Sequence, residues 1–341
     1  MSVETMDDPM TGETESTVIH STPHSTMRSL TAMMIWLGAI HLNIALFVVV
    51  LLFCRSTSVL FLILGFLVLL SVIPVDDKSR FGQALASYVG KYAPGYFPIT
   101  VHIEDVKALD PSKSYVLAAE PHSIFPIGCL SLMSITGLLP LSKTKALASS
   151  AVFYTPILRQ TGTWLGLTVA TKENFINNLK AGYSCVVIPG GVREIFYMNH
   201  DSEVAFLKKR CGFVRVAIQT GSPIVPVFCF GQRDVYKWWK PKGKLYLWLA
   251  RAIRFAPLVF WGAFGSPIPY RKPMHVVVGK PICVNENPNP SDEEVVELHT
   301  QYVSALEKLF LKYRKVVKLH AQYVSALEKL FLKYRKRRNS P

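Results

Sequence analysis

The chain has 341 residues, half of them hydrophobic, a positive mean hydropathy and a formal net charge of +15. The length allows one large domain or two modest ones, and the apolar share is too high for an ordinary soluble enzyme and points to membrane contact. Nucleic acid, a usual partner of basic chains, is set aside because no zinc-finger spacing, RNP signature or isolated recognition helix is present. Anionic lipid surfaces and phosphate-bearing ligands remain.

Residues 1–29 are rich in Ser, Thr and Met, lack hydrophobic periodicity, and are predicted to be a disordered cytosolic tail. The first thirty residues carry −4, which leaves +19 on the rest. An apolar run that starts this late, behind an acidic segment, does not fit a cleavable signal peptide. Residues 30–53, LTAMMIWLGAIHLNIALFVVVLLF, are long enough to span a bilayer, which needs ~20 residues. Residues 59–75, VLFLILGFLVLLSVIPV, lie near the lower limit. The linker CRSTS is too short for a lumenal domain, so residues 30–75 are expected to form a transmembrane helical hairpin. A pair of buried core helices is the alternative, which such continuous apolarity disfavours. Arg28 before the pair and Lys78 and Arg80 after it put both flanks in the cytosol by the positive-inside tendency, with Arg55 in the turn against it.

From residue 79 the composition becomes mixed and globular. SYVLAA, SCVVIP, PIVPVFCFG and MHVVVGKPI read as short buried strands bounded by Pro or Gly, and TKENFINNLKAG and SEVAFLKKRCGFVRVAIQTG as amphipathic stretches between them. That alternation predicts an α/β sheet covered by helices. The six cysteines are scattered without a C-x-x-C pair and read as reduced thiols, with Cys185 and Cys229 as small strand hydrophobes. Residues 295–315 recur almost letter for letter at 316–336, differing only at Glu297/Lys318 and Thr300/Ala321. Two copies are too few for a solenoid. The first copy is expected to pack on the domain, with a basic amphipathic membrane helix as the alternative. Residues 316–341 are set apart as a duplicated basic tail.

Three stretches carry groups suited to chemistry. EPHS, residues 120–123, follows a predicted strand, and ligands of α/β sheets gather at that edge. Pro121 stiffens the turn, so His122 is expected to project from it, although a lone histidine is more often structural. PGGVRE, residues 189–194, sends a strand into paired glycines that admit close backbone approach. Arg193 is suited to a phosphate or oxyanion, and Glu194 to orienting an imidazole. A plain tight turn with a solvated ion pair would look the same. The third stretch, residues 210–232, is preceded by Lys208 and Lys209 and contains Arg210 and Arg215; charge alone assigns them no role.

These stretches, with YFP at 96–98, occur in the order and approximate spacing of one family. The chain resembles the type-2 diacylglycerol acyltransferases, in their plant-type form, from the hairpin to about residue 315. FLIL at 61–64 also looks like that family's neutral-lipid motif, a weak signal inside an apolar run. The resemblance implies a glycerolipid-acyltransferase-like α/β domain over residues 79–315. It implies an endoplasmic-reticulum membrane enzyme, with lipid-droplet contacts, that moves an acyl group from acyl-CoA to diacylglycerol. Both termini would be cytosolic, no metal or cofactor is expected, and a homo-oligomer is allowed. His122 becomes the catalytic base, with Glu194, or else Glu120, as the acid that orients it. Related glycerol-phosphate acyltransferases carry that acid five residues after the histidine, where this chain has Ile127. Substrate-binding roles extend to Pro121, Ser123, Gly190, Gly191 and Arg193, and to Arg210, Gly212, Phe213 and Arg215. The chemistry agrees: an alcohol needs a base, a neutral imidazole (pKa ~6.5) is available, and a thiolate (pKa ~8.5) leaves readily. Monoacylglycerol or a fatty alcohol as acceptor, and a non-catalytic membrane scaffold, are the rival readings.

Overall fold

The computed structural model describes residues 2–6, 16–53, 55–191, 193–198, 205, 207, 210–241, 243, 248 and 258–338. Strands β1 (Ser2–Met6) and β2 (Ser16–His20) precede helices α1 (Thr26–Trp36), α2 (Gly38–Phe53), α3 (Thr57–Val72) and α4 (Arg80–Tyr92). Strands β3 (Ile99–Ile103), β4 (Val116–Glu120) and β5 (Thr144–Ala148) follow, then α5 (Ser150–Tyr154), α6 (Leu158–Trp164), β6 (Leu167–Val169) and α7 (Lys172–Lys180). Next come β7 (Ser184–Val187), α8 (Arg193–Tyr197), α9 (Gly212–Thr220), β8 (Ile224–Phe230), β9 (Lys237–Trp239), β10 (Val259–Trp261), β11 (Met274–Val278) and α10 (Asp292–Arg338).

Nine strands form one sheet in the order β1-β2-β3-β11-β8-β4-β7-β5-β6, and β9 and β10 form a separate ribbon. From β8 to β6 all neighbours run parallel, with β4 between β7 and β8. The predicted α/β sheet is therefore present, and both of its faces are covered. Period-two alternation divides the central strands between two cores. Leu117 and Ala119 of β4, with Val225, Val227 and Cys229 of β8, face the core that includes α1 and α4. Val116 and Ala118, with Ile224, Phe228 and Phe230, face the core that includes α7, α9 and α10.

Three expectations change. Disorder over residues 1–29 does not hold where the chain is described: β2 pairs antiparallel with β3, from Thr17↔Ile103 to His20↔Thr100, and β1 pairs with β2. Val18 and Ile19 are buried, so five residues suffice to extend the sheet beside β3. The first apolar segment is not one straight span. It breaks at Leu37, and α1 and α2 meet with a 60° bend. The cause is packing: Ala32, Met33 and Leu37 are buried on the domain core. The apolar helices beyond the break, α2 and α3, have 16 residues each, about 24 Å at ~1.5 Å per residue. No single described helix is long and apolar enough to cross a membrane. Last, residues 316–338 are not separate from the domain's final helix, because α10 runs through both copies. The first copy packs as expected: Val295, Leu298, Tyr302, Leu306, Leu309 and Tyr313 are buried under the sheet, while Glu297 and Thr300 are exposed.

Candidate active site

Parallel β7, β4 and β8 end side by side, and each delivers one part of the site. Strand β4 ends in Glu120 and runs into Pro121, His122 and Ser123. Strand β7 runs into the Gly190-Gly191 turn and then α8 with Glu194. Strand β8 runs through Gly231, at φ +86°, to Gln232. The sheet thus assembles EPHS, PGGVRE and the end of the third motif at the edge where ligands of such sheets bind.

His122 is half-buried, and its Nδ1 lies 2.8 Å from the Ser123 carbonyl oxygen. A carbonyl only accepts, so Nδ1 carries the hydrogen and Nε2 keeps its lone pair. Burial lowers the ring's pKa, with the Ser123 carbonyl and the Glu194 charge opposing. The ring is therefore neutral at pH 7.

Glu194 does not orient the ring in the way the motif suggests. Its Oε2 accepts the backbone N–H of His122 at 2.6 Å, so it fixes the turn, while a backbone carbonyl fixes the tautomer. Glu120 and Glu194 are fully buried together. Glu120 Oε1 accepts the Gly190 N–H at 3.1 Å, whereas its Oε2 meets no donor. Burial and the neighbouring Glu194 carboxylate push Glu120 well above the usual carboxylate range. Of the two buried carboxyls, Glu120 is therefore the one whose neutral, proton-bearing form is favoured. Tyr302 of α10, fully buried, donates to the Ala118 carbonyl at 3.4 Å.

The glycines serve the pair. A Cβ on Gly190 would stand 1.9 Å from Glu194 Oε1, so only glycine admits the carboxylate there. Gly191 takes φ +56°, and its carbonyl accepts the Glu194 N–H at 3.0 Å. Arg210 donates to the Gly190 carbonyl at 3.1 Å and feels both glutamates, so its charge faces the pair. Arg193 is exposed at the start of α8, open to an anionic ligand.

The rest of the third motif forms α9 and β8. Gly212 is exposed at the start of α9, and Phe213 is a core residue packed on His299 and Tyr302. Arg215 donates to the Pro290 carbonyl and pairs with Asp292, tying α9 to the start of α10. These contacts give Arg215 and Phe213 roles in the fold.

Two contributors were not singled out in the sequence. Gln232, buried, donates to the Pro121 carbonyl, accepts the Gly128 N–H at 3.1 Å, and offers its own carbonyl to Ser123 Oγ at 3.5 Å. It braces a turn in which Ser123 stands at φ +56°, a conformation that costs a non-glycine residue roughly 1–3 kcal/mol. Lys240 donates to the carbonyls of Ile195, Phe196 and Met198 at 3.0, 2.7 and 3.0 Å, closing the end of α8 that carries Glu194. The only signal for Gln232 was its place just past a predicted strand; Lys240 gave none.

The family model described as diacylglycerol acyltransferase matches residues 50–318. Diacylglycerol O-acyltransferase 1 of Schizosaccharomyces pombe is 31% identical over 64% of this chain and 68% of its own length. Acyl-CoA wax alcohol acyltransferase 2 of Mus musculus is 30% identical over 66% of this chain and 72% of that protein. 2-Acylglycerol O-acyltransferase 3 of Homo sapiens is 30% identical over 64% and 70%. With that match running through all three turns at the strand ends, the chain belongs to the diacylglycerol acyltransferase family and is an acyltransferase.

Proposed function

We propose that the protein transfers a fatty acyl group from acyl-CoA to the free hydroxyl of diacylglycerol, forming triacylglycerol. The observation that carries this reading is His122: a neutral imidazole, its Nδ1–H committed to Ser123 and its Nε2 lone pair available, at the end of β4. Nε2 takes the hydroxyl proton as the hydroxyl oxygen attacks the thioester carbonyl. The carbon–sulfur bond then breaks, the CoA thiolate leaves, and the proton passes from the imidazolium to it. Such a base contributes roughly 10²–10⁴ in rate. The Glu194 carboxylate steadies the imidazolium and holds the His122 backbone. Arg193 and the Arg210 side of the Gly190 turn are assigned to the acyl-CoA.

The exposed apolar helices α2 and α3 support membrane attachment. Phe47, Leu52, Phe53, Phe61, Leu62 and Phe66 are all exposed. At about 24 Å each they fall short of a hydrocarbon core of ~30 Å. This favours a re-entrant hairpin whose two ends stay on one side, with both termini in the cytosol at the endoplasmic reticulum. A hairpin that does not cross also suits the monolayer of a lipid droplet.

Relatives of equal similarity bear the names of 2-acylglycerol and wax alcohol acyltransferases, so the test must compare acceptors. Microsomes from cells lacking triacylglycerol synthesis, expressing this chain, should acylate diacylglycerol in preference to monoacylglycerol and fatty alcohol. H122A should abolish transfer at normal abundance. Preference for another acceptor would replace the substrate assignment, and an active H122A would remove the base.

A further inference from the structure

Ribbon β9–β10 carries apolar side chains on both faces, with Lys237 the charged residue of its outer face. Trp239 faces Val259 across it, and both are exposed, by 58% and 57%. Directly paired residues share a face, and on a solvated ribbon that outer face would be polar. Past β10, Phe264 is wholly exposed at φ +57°, and Ile268 is exposed as well. Phe264 is thus an aromatic side chain held in water on a strained turn position, with no ring contact to it among the described residues.

The inner face shows where the ribbon sits. Phe260 packs edge-on against Phe125 at 5.2 Å and Tyr236 at 5.3 Å, and Phe125 lies three residues past His122. Phe260 also meets His41, in the first turn of α2, at 5.6 Å. The ribbon therefore stands at the root of the apolar hairpin and against the catalytic turn together. At the other root of the hairpin, Ser71 of α3 donates to the carbonyl of Tyr154, whose ring is also exposed. Aromatic residues at such a level are the anchors of a membrane–water boundary.

We propose that the outer face of β9–β10, with Phe264 and Ile268, rests in the headgroup–acyl boundary of the bilayer that holds the hairpin. It seats the His122 turn at the depth where diacylglycerol presents its hydroxyl. The proposal rests on the reading of the protein as a membrane enzyme of acylglycerols. It makes Trp239 and Phe264 determinants of access to bilayer-borne acceptors, without a part in the chemistry.

Full-length protein reconstituted in phosphatidylcholine vesicles gives the test. Lipid brominated at carbons 6 and 7 should quench the wild type more than W239F, because Trp239 supplies part of the quenched emission. The W239S/F264S variant should show an apparent KM for vesicle-borne dioleoylglycerol raised about tenfold. Its turnover of water-dispersed dihexanoylglycerol should be unchanged. An equal absolute loss of emission in wild type and W239F would place Trp239 in water and overturn the proposal. A wild type that acylates no glyceride would strike the functional reading instead, and the quenching comparison would still decide where the ribbon lies.

Discussion

Replacing each member of the buried acid pair by glutamine asks which one carries the charge. Glu120 Oε1 accepts the Gly190 N–H, and its enclosed Oε2 meets no donor, so the acid form of this side chain is the favoured one. Gln has the same shape, one acceptor and a donor on the same side, so E120Q should keep both contacts and cost transfer about threefold or less. Glu194 Oε2 accepts the His122 N–H at 2.6 Å as a charged group. A hydrogen bond to a charged partner contributes about 1.5–3 kcal/mol, and E194Q discards that charge. The expected loss in kcat is about 10- to 150-fold. The assay is acyl-CoA-dependent triacylglycerol formation by microsomes, normalised to protein abundance. If E120Q falls as far as E194Q, or further, the proton is on the other glutamate and the assignment of roles is reversed.

Burial lowers the His122 pKa, so the acid limb of kcat/KM should lie below pH 6.5, the ordinary value for histidine. The same shift costs stability in acid: as pH falls through 6.5 the unfolded chain binds a proton that the folded ring resists, so thermal stability should decline from there down to the folded pKa. G190A should displace the Glu194 carboxylate and reduce transfer at least tenfold, while Gly191, which meets no such contact, is limited by its φ of +56° alone. Deleting residues 316–341 removes seven basic residues against Glu328 but leaves the buried stripe of α10 intact, so transfer by the truncated protein should stay within about twofold of wild type.

The parts of this fold legible in the sequence were those written in local patterns. The predicted strands at SYVLAA, SCVVIP, PIVPVFCFG and MHVVVGKPI are present because each is a continuous apolar run stopped by Gly or Pro. His122 and Gly190 were legible because a stiff turn and a crowded one need unusual residue types. STVIH at 16–20 was not, since its short apolar stretch gains stability only beside β3. The break at Leu37 escaped because hydropathy counts apolar residues without knowing which are packed on protein, as Met33 is. The resemblance gave Arg215 a substrate-binding role, and the sequence had no way to show its pairing with Asp292, 77 residues away. Gln232 and Lys240 act on backbone carbonyls, which every residue has, so no sequence pattern marks their targets.

The doubled segment of α10 has a consequence for how this chain can change over generations. Cutting out residues 295–315 or cutting out 316–336 leaves polypeptides that differ at two positions, and in the docked copy both of those positions, Glu297 and Thr300, face outward. Every buried anchor of the docked copy is spelled twice. A loss of either copy by recombination therefore restores a complete final helix, and the sheet beneath it has no means of telling which copy was lost. Redundancy of that kind shields one copy from selection on packing, and leaves it free to diverge.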